Sequence, residues 1–235
     1  MFNKNKKQLD TNERPSLVTL TRPSSIIAEQ FRTIRTNIQF SMVDKNLKTL
    51  VITSAGPGAG KSTISANLAV TFAMQGKKVL IVDADMRKPT VHKTFHLPNR
   101  DGLTTLLTDK NVEIKDIAHH LDTEGLYVIT SGVIPPNPSE LLASNRMNKL
   151  ITEFEEIFDL IIFDMPPVIA VTDAQVMASK ADGTIFVVNK NGADKEMVTK
   201  SKELLGKVKA NVIGVVVNRV ELKGDNYYYY YGENE

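Results

Sequence analysis

Six short runs of consecutive apolar residues, separated by stretches with helical periodicity, constrain this chain more than any other feature. Leu47–Thr53, Lys78–Asp83, Leu126–Thr130, Leu160–Asp164, Gly183–Asn189 and Val212–Asn218 read as strands. Their apolar residues do not alternate with polar ones, so both faces of each strand need cover, as in a parallel sheet flanked by helices. Helical patterns fill the gaps at Lys61–Gln75, Pro138–Ser144, Met147–Phe158, Thr172–Ser179 and Lys195–Val208, with shorter helical pieces near 101–107 and 111–120. The expected fold class is α/β: a doubly wound, mostly parallel sheet of about seven strands with helices on both faces. A chain of 235 residues, 42% hydrophobic and 24% charged, is large enough to bury one full core.

Composition excludes several function classes. The absence of cysteine removes disulfides, thiolate metal sites and cysteine nucleophiles. The four histidines, at 92, 96, 119 and 120, have no ligand-like spacing, so any metal chemistry must be oxygen-based. No apolar run approaches the roughly 18 residues of a membrane span. The N-terminus, MFNKNKKQLD, lacks the apolar stretch of a signal peptide, so a cytoplasmic location is expected. The net charge of +2 is unevenly placed: residues 1–50 hold nine Lys/Arg against four Asp/Glu. That bias suits contact with an anionic surface or an acidic partner, or simple solvation, and is too weak to suggest nucleic acid.

The two ends read differently from the body. Residues 1–23 are polar and contain Pro15 and Pro23, which predicts a flexible basic arm. Ser24 and Ser25 can cap a helix within 24–43, on which Glu29, Arg32 and Arg35 share one face and Ile27, Phe31, Ile34 and Ile38 another. The domain proper is expected over 24–222. Beyond it, 223–235 carries five of the six tyrosines in a single run, Tyr227, Tyr228, Tyr229, Tyr230 and Tyr231, with turn formers on both sides. Five phenols in a flexible tail forgo burial, so packing does not account for them.

Chemistry concentrates at three strand ends. Ala55-Gly56-Pro57-Gly58-Ala59-Gly60-Lys61-Ser62-Thr63, between a strand and a helix, fits the phosphate-binding loop G-x-x-x-x-G-K-[ST] with Ala55 in place of the first glycine. Glycines let successive backbone N–H groups turn inward onto phosphate oxygens, and the following helix adds its positive end. Lys61 supplies a charge to the β- and γ-phosphates, and the Ser62 hydroxyl is a natural Mg²⁺ ligand. Asp83 and Asp85 end the strand Lys78–Asp83, and Asp164 ends Leu160–Asp164. Ligands of open α/β sheets bind beyond the carboxyl ends of strands, so these carboxylates are expected to converge on the loop. A turn or cap role is the alternative for each.

Taken together, Ala55–Thr63, LIVDADMR, LIIFDMPP and the terminal tyrosine cluster resemble the bacterial tyrosine kinases, in which the three segments are called Walker A, A′ and B. Glu29, Arg32 and Arg35 match that family's E-x-x-R-x-x-R helix. The resemblance covers the chain from about residue 24 to its end and implies a P-loop NTPase fold with ATP and Mg²⁺ as cofactors. It further implies tyrosine phosphorylation of protein substrates and a ring-like homo-oligomer held partly by Glu29, Arg32 and Arg35. A separate transmembrane activator of the polysaccharide co-polymerase type is implied too, which would keep the kinase peripheral at the inner face of the membrane in capsule or exopolysaccharide synthesis. Related partitioning and cell-division ATPases carry an extra lysine five residues before the invariant one; here Gly56 stands there.

By the same resemblance, Lys61 and the loop hold phosphates, while Ser62, Asp85 and Asp164 hold Mg²⁺. Asp83 is the candidate base toward an incoming phenol, although the roles of Asp83 and Asp85 are interchangeable at this level. Asn218 and Arg219 either meet the adenine or cap the last strand. Tyr227–Tyr231 become the sites of autophosphorylation in trans. Two other readings remain open: a partitioning-type ATPase switch in which the tail is passive, and a scaffold that binds nucleotide only to assemble.

Overall fold

Side-chain alternation in the central strands builds two cores, one on each face of a single sheet. The computed structural model describes residues 17–42, 46–192 and 194–220. Among them, seven strands form the sheet: β1 (Thr49–Ser54), β2 (Val79–Asp83), β3 (His119–His120), β4 (Leu126–Ile129), β5 (Leu160–Asp164), β6 (Gly183–Asn189) and β7 (Val212–Asn218). Their order is β3-β4-β2-β5-β1-β6-β7. All neighbours run parallel except the short β3, which is antiparallel to β4.

On one face Leu50, Ile52, Val79, Ile81, Leu160 and Ile162 pack with Phe31 and Ile38 of the helix Ile26–Ser41 and with Leu68 and Phe72 of the helix Lys61–Ala73. On the other, Val51, Leu80, Val82, Ile161 and Phe163 meet Leu150 and Phe154 of the helix Asn145–Ile157 and Met177 of Asp173–Ala178. Each fully buried Leu, Ile or Phe contributes about 1.5–3 kcal/mol relative to exposure. The doubly wound architecture is the one the uninterrupted apolar runs require.

Two local expectations are corrected. Of the arm expected over residues 1–23, residues 17–23 are described, and they are held against the domain. Val18–Thr21 forms a helical turn, and Thr19 donates from both its backbone N (3.0 Å) and its Oγ1 (2.9 Å) to Asn67 Oδ1. Leu17 and Val18 pack against the first core, so a short apolar stretch within a polar average anchors the chain there. Residues 1–16 lie outside the described residues, as does the expected tail, 223–235. The second correction concerns 111–120. The helix stops at Ile117, and His119 and His120 pair with Val128 and Tyr127 as β3, the His120 and Tyr127 rings lying 4.7 Å apart. Within 24–43, Ser25 caps the helix by accepting from Ala28 N at 3.2 Å, and the helix ends at Ser41.

Candidate active site

Because β1, β2 and β5 are parallel neighbours, their carboxyl ends open on one edge, and Asp83 and Asp164 are register partners there. The loop that follows β1 is shaped by two glycines, Gly58 and Gly60, at φ +72° and +90°. A Cβ at Gly58 would meet open space, whereas one at Gly60 would lie 2.2 Å from Asn218 Nδ2. Ala55 has ordinary backbone geometry and is buried in the core, which is why its methyl group is accommodated where the pattern has glycine. Asn218, at the end of β7, donates from Nδ2 to Ala59 O at 2.9 Å and so braces the loop from two strands away. Arg219 is exposed, at φ +58°, with its N–H on Asn218 Oδ1.

Lys61 opens the 13-residue helix behind the loop, which directs the helix's positive end at the same space. Ser62 Oγ donates to Asp164 Oδ2 at 2.5 Å, and Ser65 Oγ donates to Asp164 Oδ1 at 2.9 Å. Asp83 Oδ2 accepts the N–H groups of Thr90 (3.0 Å) and Val91 (2.9 Å), while Oδ1 is buried with no partner. Asp85 Oδ1 accepts from Lys88 N at 3.0 Å and, more weakly, from Arg87 N at 3.4 Å.

Burial dominates the electrostatics. It pushes the Asp164 carboxyl up to about 6, against the opposing pull of Lys61 and the two serine hydroxyls. Burial and then the neighbouring Asp164 charge hold Asp83 well above the usual carboxylate range, despite its two N–H donors. Asp85 is raised by burial too, with the Lys88 N–H and the Lys61 charge opposing. Burial thus raises all three carboxylates, and the Lys61 charge opposes the shift at Asp85 and Asp164. Among the described residues, no group of three or more His, Asp or Glu is arranged to hold a metal by itself. Mg²⁺ is usually held by one or two carboxylates together with substrate phosphates and water rather than by an all-protein cage. The hydroxyl of Ser62 beside Asp164, with Asp85 near Lys61, is a fitting donor set, and the orphaned Asp83 Oδ1 marks a polar atom in want of a partner.

Sequence reasoning missed four members of the site: Ser65, Thr90, Ser139 and Asp173. Asp173 is fully buried; its Oδ2 accepts from Arg87 Nε (2.9 Å) and its Oδ1 from Arg87 Nη2 (3.1 Å) and Ser139 Oγ (2.5 Å). In sequence, Thr172-Asp173 resembles a helix start and nothing links it to Arg87. The helix residues Glu29, Arg32 and Arg35 are not at this site. Arg32 pairs with Glu29 and donates to Pro23 O at 2.7 Å, and Arg35 donates to Thr71 O at 3.1 Å, all within the chain. Tyr227–Tyr231 lie outside the described residues.

A mostly parallel sheet with a phosphate-binding loop after an inner strand, β1, and acidic residues at the ends of the neighbouring strands β5 and β2 defines a P-loop NTPase. The ParA family model, described as NUBPL iron-transfer P-loop NTPase, matches residues 45–227. Tyrosine-protein kinase YwqD of Bacillus subtilis is 45% identical, over 98% of this chain and 97% of its own length. Putative tyrosine-protein kinase CapB of Staphylococcus aureus is 44% identical, over 91% of this chain and 93% of its own. The crystal structure of the chimerical protein CapA2B2 is 46% identical with a TM-score of 0.84, covering 88% of this chain and 90% of that one. Within the P-loop NTPases, the chain belongs to the bacterial tyrosine-protein kinases.

Proposed function

We propose that this protein transfers the γ-phosphoryl group of ATP to tyrosine in the control of capsule or exopolysaccharide synthesis. Its acceptors include Tyr227–Tyr231 of a neighbouring copy. The carrying observation is the convergence of Lys61, Ser62, Asp83, Asp85 and Asp164 on one sheet edge, with Asp83 Oδ1 buried and unpartnered. Such transfers depend on positioning and on neutralising charge spread over the transferred oxygens. Gly56–Gly60, Lys61 and Thr63 hold the phosphates. Ser62, Asp85 and Asp164 hold Mg²⁺, which when bound neutralises charge on the β- and γ-oxygens. As the phenolic oxygen bonds to phosphorus and ADP departs, the phenol proton passes to Asp83 Oδ1, whose raised proton affinity suits a base toward a group with a pKa of about 10.

Tail position supports the acceptor assignment. β7 ends beside the loop, where Asn218 touches Ala59, and Val220, two residues on, is the last described residue. Tyr227 is seven residues further on, a reach of up to about 25 Å. In a ring, that brings phenols to a neighbour's site at high effective concentration. Glu29, Arg32 and Arg35 contribute to the ring contact by exchanging their internal partners for those of the next copy. A separate transmembrane protein recruits the kinase to the membrane and activates it.

The test is mass spectrometry after incubation with ATP and Mg²⁺, using wild type mixed with a size-tagged Lys61→Met copy. Phosphate on the C-terminal peptide of the Lys61→Met copy, absent when that copy is alone, is the expected result. Release of inorganic phosphate without phosphotyrosine would establish the partitioning-type switch instead. Charge reversal at Arg32 and Arg35 is expected to reduce the oligomer mass.

A further inference from the structure

Thr90 bonds to two of the acidic site's members at once, and through one of them reaches a third. Its backbone N–H donates to Asp83 Oδ2 at 3.0 Å, and its hydroxyl donates to Ser62 Oγ at 2.8 Å. Ser62 Oγ in turn donates to Asp164 Oδ2 at 2.5 Å. The result is a directed chain, Thr90 to Ser62 to Asp164, with the β2 carboxylate tied to the same residue.

A serine hydroxyl has one proton and two lone pairs. With the proton committed to Asp164 and one lone pair accepting from Thr90, a single lone pair on Ser62 remains. A rotating hydroxyl would present it in many directions; one held from two sides presents it in one. Thr90 is only half-buried, so its hydroxyl oxygen keeps its own acceptor capacity at the edge of the site. Thr94 Oγ1 donates to Thr90 O at 3.3 Å, and Val91 shares Asp83 with Thr90, so the residue is fixed from its own side of the loop as well.

We propose that Thr90 is a positioning residue of the divalent-cation site: its hydroxyl orients Ser62 so that the one free lone pair of Ser62 Oγ faces the cation. The proposal rests on the reading of Ser62 as a Mg²⁺ ligand. Groups that orient metal ligands in this way typically change metal affinity about 10–100-fold when removed. Because the link is a single neutral hydrogen bond, the lower end of that range applies.

The experiment is equilibrium binding of a fluorescent ADP analogue to the full chain, titrated with Mg²⁺ and repeated in EDTA, for wild type, Thr90→Val and Thr90→Ser, with a thermal melt of each. Thr90→Val keeps the shape and the backbone N–H but loses the hydroxyl. It is expected to raise the Mg²⁺ midpoint about 10-fold, with nucleotide affinity in EDTA within about twofold of wild type. Thr90→Ser is expected to restore the wild-type midpoint. An unchanged midpoint in Thr90→Val overturns the proposal. A shift in Thr90→Ser equal to that in Thr90→Val, or a fall in EDTA affinity matching the shift, also overturns it, because the cause is then the loop and not the hydroxyl. Wild-type binding that ignores Mg²⁺ altogether overturns the assignment of Ser62 itself, and the proposal with it.

Discussion

Gly60→Ala puts a methyl group 2.2 Å from Asn218 Nδ2 on a residue whose φ is +90°. Two costs add. A left-handed backbone at a residue with a Cβ costs about 1–2 kcal/mol. The contact is too short to survive, so Asn218 must withdraw, breaking its 2.9 Å bond to Ala59 O, which is worth about 1 kcal/mol. The expected loss is about 2–3 kcal/mol. For a chain of this length each kcal/mol lowers Tm by about 2–4 °C, so a fall of about 4–12 °C follows. The measurement is the thermal melt of nucleotide-free protein in a double-mutant cycle with Asn218→Ala. That change deletes the atoms the new methyl would strike, Nδ2 at 2.2 Å and Cγ at 3.5 Å. In the Asn218→Ala background, Gly60→Ala should cost only the backbone strain, leaving a coupling of about 1 kcal/mol between the two sites. Equal costs in both backgrounds, or a loss below about 1 kcal/mol in the wild-type background, would refute the bracing of the loop by Asn218.

Apo-protein stability should fall as pH rises from about 4 to about 6. The folded state holds the Asp164 proton up to about 6 where the ordinary value is 3.8, so it binds more protons than the unfolded chain in that window; the penalty, about 3 kcal/mol, is complete above it. Melts at pH 5 and 7.5 check the sign, and Asp164→Asn should reduce the difference, with Asp83 and Asp85 supplying the remainder. At the Arg87–Asp173 pair, Arg87→Ala should destabilise more than Asp173→Ala: the first leaves a fully buried carboxylate with only the Ser139 hydroxyl, at about 1–3 kcal/mol, the second a guanidinium that is 39% exposed. Urea unfolding of both variants checks the order. Thr19→Val removes the hydroxyl bond to Asn67 and should lower stability by about 1 kcal/mol, measured the same way, which tests whether the chain is anchored from residue 17.

Apolar continuity in runs such as Val79–Val82 and Leu160–Phe163 determined the doubly covered sheet, because a strand without polar residues has no face to give to water. The loop Ala55–Thr63 was equally legible: its glycines, lysine and serine are neighbours in sequence, and local backbone geometry joins them. Even Asp83 and Asp164 were legible as strand-end residues, since a parallel sheet brings its carboxyl ends to one edge. What the tertiary structure alone decided is pairing over distance. Arg87 with Asp173, 86 positions apart, and Asn218 with Ala59, 159 apart, meet because the order β3-β4-β2-β5-β1-β6-β7 folds remote loops together, and no local pattern encodes that order. The same holds for Thr19 on Asn67, where one buried amide anchors a segment that its composition assigns to solvent. Proton affinity belongs to this second category as well, because a carboxylate's pKa depends on how much water the completed fold removes from it, and only the assembled sheet edge sets that.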